Sequence, residues 1–382
     1  MTQTPTPAGQ EKIYLLGTGG FPNYGDEYIT QAWLQFLGQT RPSAEVWLDT
    51  PFPGQAVHLF SHLHPRIRFT DTLWRVLWDT ADMEREEADR LLDERLAHLG
   101  TPRYDLGIIR MKEATTFHIL GGGYINSVWP LHVGLLRAAQ RLRELTGIRI
   151  AATGLGLTPA TGVATLQEAV KHFDHFSVRD QPSAELVGGD VGLDDAFLTL
   201  PQLPAYRRGA GSEGAQDVWV CLQSDLGRPE LFESMVESAR RLLTSPELQG
   251  RTVRYAEAIP GVDRAAFDRL SDLIPEENFV PFLQFWERDF PGAAGQVWIT
   301  SRFHLHLLAA ASGARGVALE INEDYYRTKH QSLLDLGTGW PVVKAGTVEA
   351  PTPALSGEFP RQAKQLAQTK WREAQVVYPR RR

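Results

Sequence analysis

Cysteine is almost absent: Cys221 stands alone among 382 residues, which excludes a disulfide framework and a thiolate zinc cage. No apolar run reaches the ~18 residues of a membrane span, and nothing ahead of the first strand reads as a signal peptide. The opening MTQTPTPAGQ reads as a short solvated tail. Basic charge is in deficit, with 39 Lys and Arg against 46 Asp and Glu and a net charge of −7. A broad nucleic-acid footprint is therefore not expected, although a local basic pocket stays open. What is present fits a cytoplasmic globular protein: 42% hydrophobic residues over this length suffice for two or three cores.

Short apolar runs alternate with amphipathic stretches, the pattern of a parallel-sheet α/β protein. KIYLLG from Lys12, AEVWLD from Ala44, FHIL from Phe117, IRIAAT from Ile148 and HFSV from His175 read as strands. Glu27–Leu37 and Leu131–Leu145 read as helices, and Asp82–Leu99 as an exposed helix with one narrow apolar stripe. Residues 201–216, PQLPAYRRGAGSEGAQ, have no periodicity and read as a linker. The alternation restarts with DVWVCLQ from Asp217, TVRYAE from Thr252, VWIT from Val297 and GVALEI from Gly316, and a last helix spans Phe359 to Val377. The expected organisation is a tail over 1–11, a Rossmann-like domain over 12–200, the linker, a second such domain over 217–356, and a helix with a basic tail over 357–382. The ligand cleft is expected beyond the carboxyl ends of the strands, with the last helix crossing back.

Four places carry residues suited to chemistry. Gly17–Asp26 joins a strand to a helix, where Gly19 and Gly25 would let backbone approach a ligand; a plain turn with Asp26 as N-cap is the equal alternative. Gly121, Gly122 and Gly123 end the strand FHIL, and three successive glycines favour close backbone contact with a sugar or phosphate over packing. Arg179 and Asp180 follow HFSV, either as a local surface pair or as a cation at the cleft for a carboxylate or phosphate. In ITSRFHLHLL, Ser301 reads as an N-cap and Arg302 and His304 as first-turn residues, a cation and an imidazole suited to acid/base work beside an anion. His306 points about 200° away on the helix and reads as structural. The groups His58/His62/His64 and His172/Asp174/His175 lack a complete metal motif, so no metal is expected. Trp33, Trp47, Trp219 and Trp298 read as core, while Trp129 could either stack on a sugar or simply pack.

In order and spacing these segments resemble the polysaccharide pyruvyl transferase family. The matching elements are Asn23-Tyr24-Gly25-Asp26-Glu27, FHILGGG, Val178-Arg179-Asp180-Gln181-Pro182-Ser183, Asp194-Asp195-Ala196-Phe197 and Ser301-Arg302-Phe303-His304, with Lys329 placed ahead of a Leu-Gly pair. Two departures stand out: Gln223 where an arginine is common, and Ala314-Arg315-Gly316-Val317 where a glycine-x-proline turn is usual.

The resemblance implies a GT-B-like α/β fold, two Rossmann-like parallel-sheet domains facing a cleft, with a C-terminal helix. It implies transfer of pyruvate from phosphoenolpyruvate to a hexose of a cell-surface polysaccharide or its lipid-linked precursor, forming a cyclic ketal. Arg179, Arg302, His304 and Lys329 are the catalytic residues it carries over, with Gly19, Asn23, Gly25, Asp26, Gly121, Gly122, Gly123 and Ser301 binding donor or acceptor. No metal or organic cofactor is expected. The expected partners are phosphoenolpyruvate and a glycan or lipid-linked oligosaccharide, at the inner face of the membrane through the acceptor. A sugar-nucleotide glycosyltransferase and a non-catalytic glycan-binding descendant are the alternatives on the same scaffold.

Overall fold

The computed structural model describes residues 10–206, 214–225, 228–320, 325–344, 346 and 350–379. Parts of the expected tails (1–9 and 380–382), of the linker (207–213) and of the polar stretch before Lys329 (322–324) lie outside them. Two compact units result. The first runs to Phe21 and resumes over Ile29–Asp195; the second takes Pro22–Tyr28 and continues from Ala196.

In the first unit the strands are β1 (Lys12–Leu16), β2 (Glu45–Asp49), β3 (Ile67–Thr70), β4 (Thr116–Ile119), β5 (Arg149–Leu155) and β6 (His175–Val178). They form one parallel sheet in the order β3-β2-β1-β4-β5-β6. The central strands β1 and β4 are almost wholly buried, because helices cover both faces of a parallel sheet and leave no polar side to alternate. The helices are α1 (Tyr24–Thr40, whose first turn to Tyr28 groups with the second unit), α2 (Pro53–Phe60), α3 (Thr72–Trp78), α4 (Arg85–Ala97), α5 (Pro102–Glu113), α6 (Gly134–Thr146), α7 (Val163–Val170) and α8 (Gln181–Val187). Helix α6 shows why the sequence folds this way: Leu135, Leu136, Ala138, Ala139 and Leu142 make its buried face, and Gly147 at φ 72° ends it.

In the second unit β7 (Val218–Cys221), β8 (Val253–Ala256), β9 (Phe279–Val280), β10 (Val297–Thr300), β11 (Arg315–Leu319) and β12 (Val342–Val343) form a parallel sheet ordered β12-β11-β10-β7-β8-β9. Trp219 and Trp298 sit side by side in the β7–β10 register and stack at 5.5 Å. The helices are α9 (Pro229–Leu243), α10 (Arg264–Arg269), α11 (Phe282–Glu287), α12 (Phe303–Ala311), α13 (Tyr325–Asp335) and α14 (Phe359–Val377). Helix α12 is buried nearly all round. The terminal helix α14 groups with this second unit and packs on α12, where the sequence suggested a crossing back. Its buried stripe of Phe359, Ala363, Ala367, Lys370, Ala374 and Val377 gives the reason.

Both sheets share the doubly wound strand order in which the chain reverses direction between the first and fourth strands. The reversal lies between β1 and β4 in one unit and between β7 and β10 in the other. A ligand is favoured outside the carboxyl ends of those strand pairs. There the sequence places Gly17–Asn23 and Gly121–Gly123, and then Leu222–Ser224 and Ser301–His304.

At the end of β2 the fully buried Asp49 accepts hydrogen bonds from the Tyr14 hydroxyl (2.6 Å) and the Leu73 N–H (2.8 Å). Burial pushes its pKa from the ordinary 3.8 up to about 7, against those hydrogen bonds. Folded protein thus holds a proton that the unfolded chain releases above pH 4. The stabilisation is full below that pH and is lost as pH rises through 7. Asp49→Asn keeps an acceptor and cannot titrate. Relative to the variant, the wild type should lose up to about 4 kcal/mol between pH 4 and pH 8 in urea unfolding; parallel pH profiles would exclude this role.

Candidate functional site

The loop after β1 is shaped by packing. A Cβ on Gly19 would come within 2.9 Å of the Thr30 Cβ on α1, and Gly20 adopts φ +98°. Asn23 then starts α1: its Oδ1 accepts from the Gly25 N–H (3.3 Å), its carbonyl from the Glu27 N–H (3.0 Å), and its amide donates to Asp26 (2.9 Å). The capping residue is therefore Asn23, with Asp26 inside the first turn, because the helix begins earlier than its apolar spacing suggested.

The three glycines after β4 have structural reasons that the sequence reading discounted. A Cβ on Gly121 would stand 2.8 Å from the Asp195 carboxyl carbon. Gly122, at φ +136°, exchanges backbone hydrogen bonds with Gly154 and Gly156 and so extends the ladder to β5. The Gly123 carbonyl accepts from the Asn126 amide at 2.8 Å. Asp195 organises this corner by accepting from the Gly121 N–H (2.8 Å), the Trp33 indole (2.6 Å) and the Thr153 hydroxyl (2.8 Å). Trp33, read as plain core, thus anchors a buried carboxylate.

Arg179 is neither a surface partner of Asp180 nor an open cation. Its side chain is 3% exposed and donates to Asp194 at 2.8 Å. Asp180 instead caps α8 by accepting from the Ser183 N–H (2.9 Å), and the Ser183 hydroxyl accepts from the Leu157 N–H (2.8 Å). The V-R-D-x-x-S and Asp-x-Ala-Phe elements therefore knit the carboxyl ends of β4, β5 and β6 together.

In the second unit, α12 begins one residue later than expected, at Phe303, with Arg302 as N-cap. Ser301 does not cap; it is buried, and its hydroxyl accepts from the Gln223 N–H at 2.9 Å. That bond ties the end of β10 to the end of β7. The Gln223 side chain is buried too, and its amide nitrogen has no partner among the described residues.

The Arg302 guanidinium, 11% exposed, is held by Asp263 with Asp225 at 3.6 Å. Burial disfavours its charge, but Asp263 and Asp225 outweigh that and push its pKa up. Asp263 is fully buried at the start of α10 and accepts from the N–H groups of Ala258 (2.8 Å) and Ile259 (3.0 Å). Burial pushes its own pKa up, and the arginine opposes that rise. Burial also pushes the Cys221 thiol, 3.6 Å from Asp263, well up, which favours the neutral thiol over the thiolate.

The first turn of α1 enters this same cluster, since Pro22–Tyr28 belongs to the second unit. The Tyr24 N–H donates to the Ala258 carbonyl (2.9 Å), and its ring packs on Phe285 at 4.7 Å. One peptide unit at residue 258 therefore links the Asn-x-Gly-Asp turn to Asp263 and Arg302. Gly25 lies against His304: a Cβ there would be 2.6 Å from the imidazole Cγ and 2.7 Å from Cε1. His304 is half-buried in the first turn of α12, edge-on to Phe303.

His306 is buried, as its helical position implied, and bonds His330 at 3.1 Å. The Nε2 of His330 meets the Ser301 carbonyl at 3.3 Å, which ties α13 to the β10–α12 turn; the half-buried Lys329 precedes His330 on that helix. Asn23, Gly25, Asp26, Ser301, Arg302 and His304 thus gather in the second unit, to which Lys329 also belongs, whereas Gly19, Gly121–Gly123 and Arg179 belong to the first. Sequence reading missed Asp263, Asp225 and His330. An aspartate before a helix gives no sign beyond an ordinary cap, and an isolated histidine gives none.

Among the described residues, no group of three His, Cys, Asp or Glu side chains is arranged to hold a metal. His64 instead bonds Arg41 and Arg66 backbone, each at 3.1 Å. No described helix is long and apolar enough to cross a membrane.

A sequence model described as polysaccharide pyruvyl transferase matches residues 23–244. No curated protein matches the chain significantly. Several solved structures share its fold. The UDP-GlcNAc 2-epimerase of Methanocaldococcus jannaschii has a TM-score of 0.52 and 9% identity, covering 94% of this chain and 99% of that one. The Neisseria meningitidis UDP-GlcNAc 2-epimerase bound to UDP-GlcNAc gives 0.52 and 10%, over 96% and 93%. MnaA of S. aureus with UDP gives 0.53 and 10%, over 97% and 90%. These likenesses establish the GT-B type of α/β fold.

Proposed function

We propose, for a chain that belongs to the polysaccharide pyruvyl transferase family and hence transfers pyruvyl groups to polysaccharide, that phosphoenolpyruvate is the donor and a cyclic ketal the product. The acceptor is a hexose of a cell-surface polysaccharide or of its lipid-linked precursor, met at the inner face of the membrane. The observation that carries this reading is the convergence of the Asn23-x-Gly25-Asp26 turn and the Ser301-Arg302-x-His304 turn on one cluster, with Gly25 leaving the space that the imidazole fills.

The chemistry requires a held dianion and one mobile proton. Protonation of the methylene carbon makes the adjacent carbon electrophilic. A sugar hydroxyl adds there and releases its proton, phosphate leaves, and a second hydroxyl closes the ketal. Of the two hydroxyl protons, one balances the proton taken up at carbon and the other leaves with phosphate. His304 takes the hydroxyl proton. Arg302 and Lys329 hold phosphate, and Lys329 is needed because Asp263 and Asp225 offset much of the arginine's charge. Gln223 offers a neutral amide donor at the same strand ends. Arg179 already holds Asp194 and is left out of this assignment.

Incubation with phosphoenolpyruvate and a lipid-linked glycan should release inorganic phosphate and yield a pyruvylated glycan. Release of UDP from UDP-GlcNAc instead would establish the glycosyltransferase alternative. His304→Ala should lower turnover by at least about 100-fold with little change in melting temperature; full activity would remove His304 from the chemistry.

A further inference from the structure

His306 on α12 and His330 on α13 are both fully buried, and their Nδ1 atoms face each other at 3.1 Å. On the far side of His306, Nε2 meets the Thr338 hydroxyl at 3.0 Å, and the ring stacks on Trp340 at 4.5 Å and 10°. On the far side of His330, Nε2 meets the Ser301 carbonyl at 3.3 Å.

Only one arrangement of protons satisfies all three contacts with neutral rings. A carbonyl oxygen accepts only, so His330 carries its hydrogen on Nε2 and presents a bare Nδ1. His306 must then carry its hydrogen on Nδ1, and its bare Nε2 accepts from the Thr338 hydroxyl. Burial favours the neutral rings on both residues. The bonds therefore run in one direction, from Thr338 through both imidazoles to the peptide just before Arg302.

We propose that His306 and His330 are positioning residues: their directed chain holds the Arg302–His304 turn and the helix bearing Lys329 in one working register. The inference rests on the preceding reading only in taking those three side chains as the working groups. Neither histidine touches substrate. Without the Nε2–H of His330 the peptide between Ser301 and Arg302 would be held only through its N–H, which donates to the Thr300 hydroxyl at 3.0 Å, and α13 would lose its polar tie to that turn. A shift of about 1 Å in such groups is enough to cost about 100-fold in rate.

His330→Phe removes both bonds and should lower kcat at least about tenfold, with KM moving less than kcat. His330→Gln restores an N–H toward Ser301 and an acceptor on the same amide, and should recover most of that loss. Should the phenylalanine variant fail to fold, Thr338→Val tests the chain from its far end. It removes the donor to His306 Nε2 while keeping the side chain's shape. Imidazole 15N shifts of the wild type should show hydrogen on Nδ1 of His306 and Nε2 of His330. In Thr338→Val the Ser301 carbonyl still fixes those tautomers, but the His306 Nε2 shift should move as its hydrogen bond is lost, and kcat should fall. The opposite tautomers in the wild type, or an unchanged His306 Nε2 shift together with unchanged kcat in Thr338→Val, would overturn the proposal. The shifts are read without substrate, so failure of phosphoenolpyruvate as donor overturns the preceding reading alone.

Discussion

Replacing Gly25 by alanine should lower kcat/KM by about 100-fold or more while the protein still folds. The added methyl group would stand 2.6 Å from the His304 Cγ and nearer still to Nδ1, closer than non-bonded atoms approach, so the imidazole must turn away. Nothing else in the substitution is unfavourable. Gly25 lies in the first turn of α1 and has no positive φ, and alanine in a helix is favoured over glycine by about 1 kcal/mol. Local helix stability and activity should therefore move in opposite directions. A melting temperature at or above the wild type's, with turnover nearly gone, is the expected pair of results. Wild-type turnover in the variant would show that His304 need not occupy this position.

Asp263→Ala should be among the most damaging single changes to stability. It leaves Arg302 buried with only the more distant Asp225, and leaves the Ala258 and Ile259 N–H groups without their acceptor. Removing one member of a buried ion pair costs about 3–5 kcal/mol. Replacing both members by apolar residues often costs little. Hence Asp263→Leu with Arg302→Met should regain the share lost to the unpaired charge in urea unfolding, but not the share lost at the Ala258 and Ile259 N–H groups, and remain inactive. If Asp263→Ala unfolds at the wild-type urea concentration, the carboxylate does not hold the arginine in solution.

Much of the fold was legible because central parallel strands are continuous apolar runs: KIYLL, VWVC and VWIT can hardly be read otherwise. The strands that escaped were β3, β9 and β12. All lie at sheet edges, and the last two have only two residues each, too few to show a period. The helices α2, α3, α5, α7, α11 and α13 were likewise unread. At the site, the Ser-Arg-x-His and Asn-x-Gly-Asp elements were visible as motifs. What each residue does locally was less so. Ser301 looked like a cap and is a strap between strands; Arg179 looked open and is matched to Asp194. Such roles depend on partners remote in sequence, as Arg302 depends on Asp263, and spacing carries no record of them.

The seven residues Pro22–Tyr28 have a practical consequence, since they belong with a body whose other residues begin at Ala196. A fragment cut at that position would carry the arginine and the imidazole but not the glycine against which the imidazole lies, nor the tyrosine packed on Phe285. Expressing the halves separately would therefore yield an incomplete catalytic piece, and supplying the missing stretch as a synthetic peptide is the natural attempt at complementation.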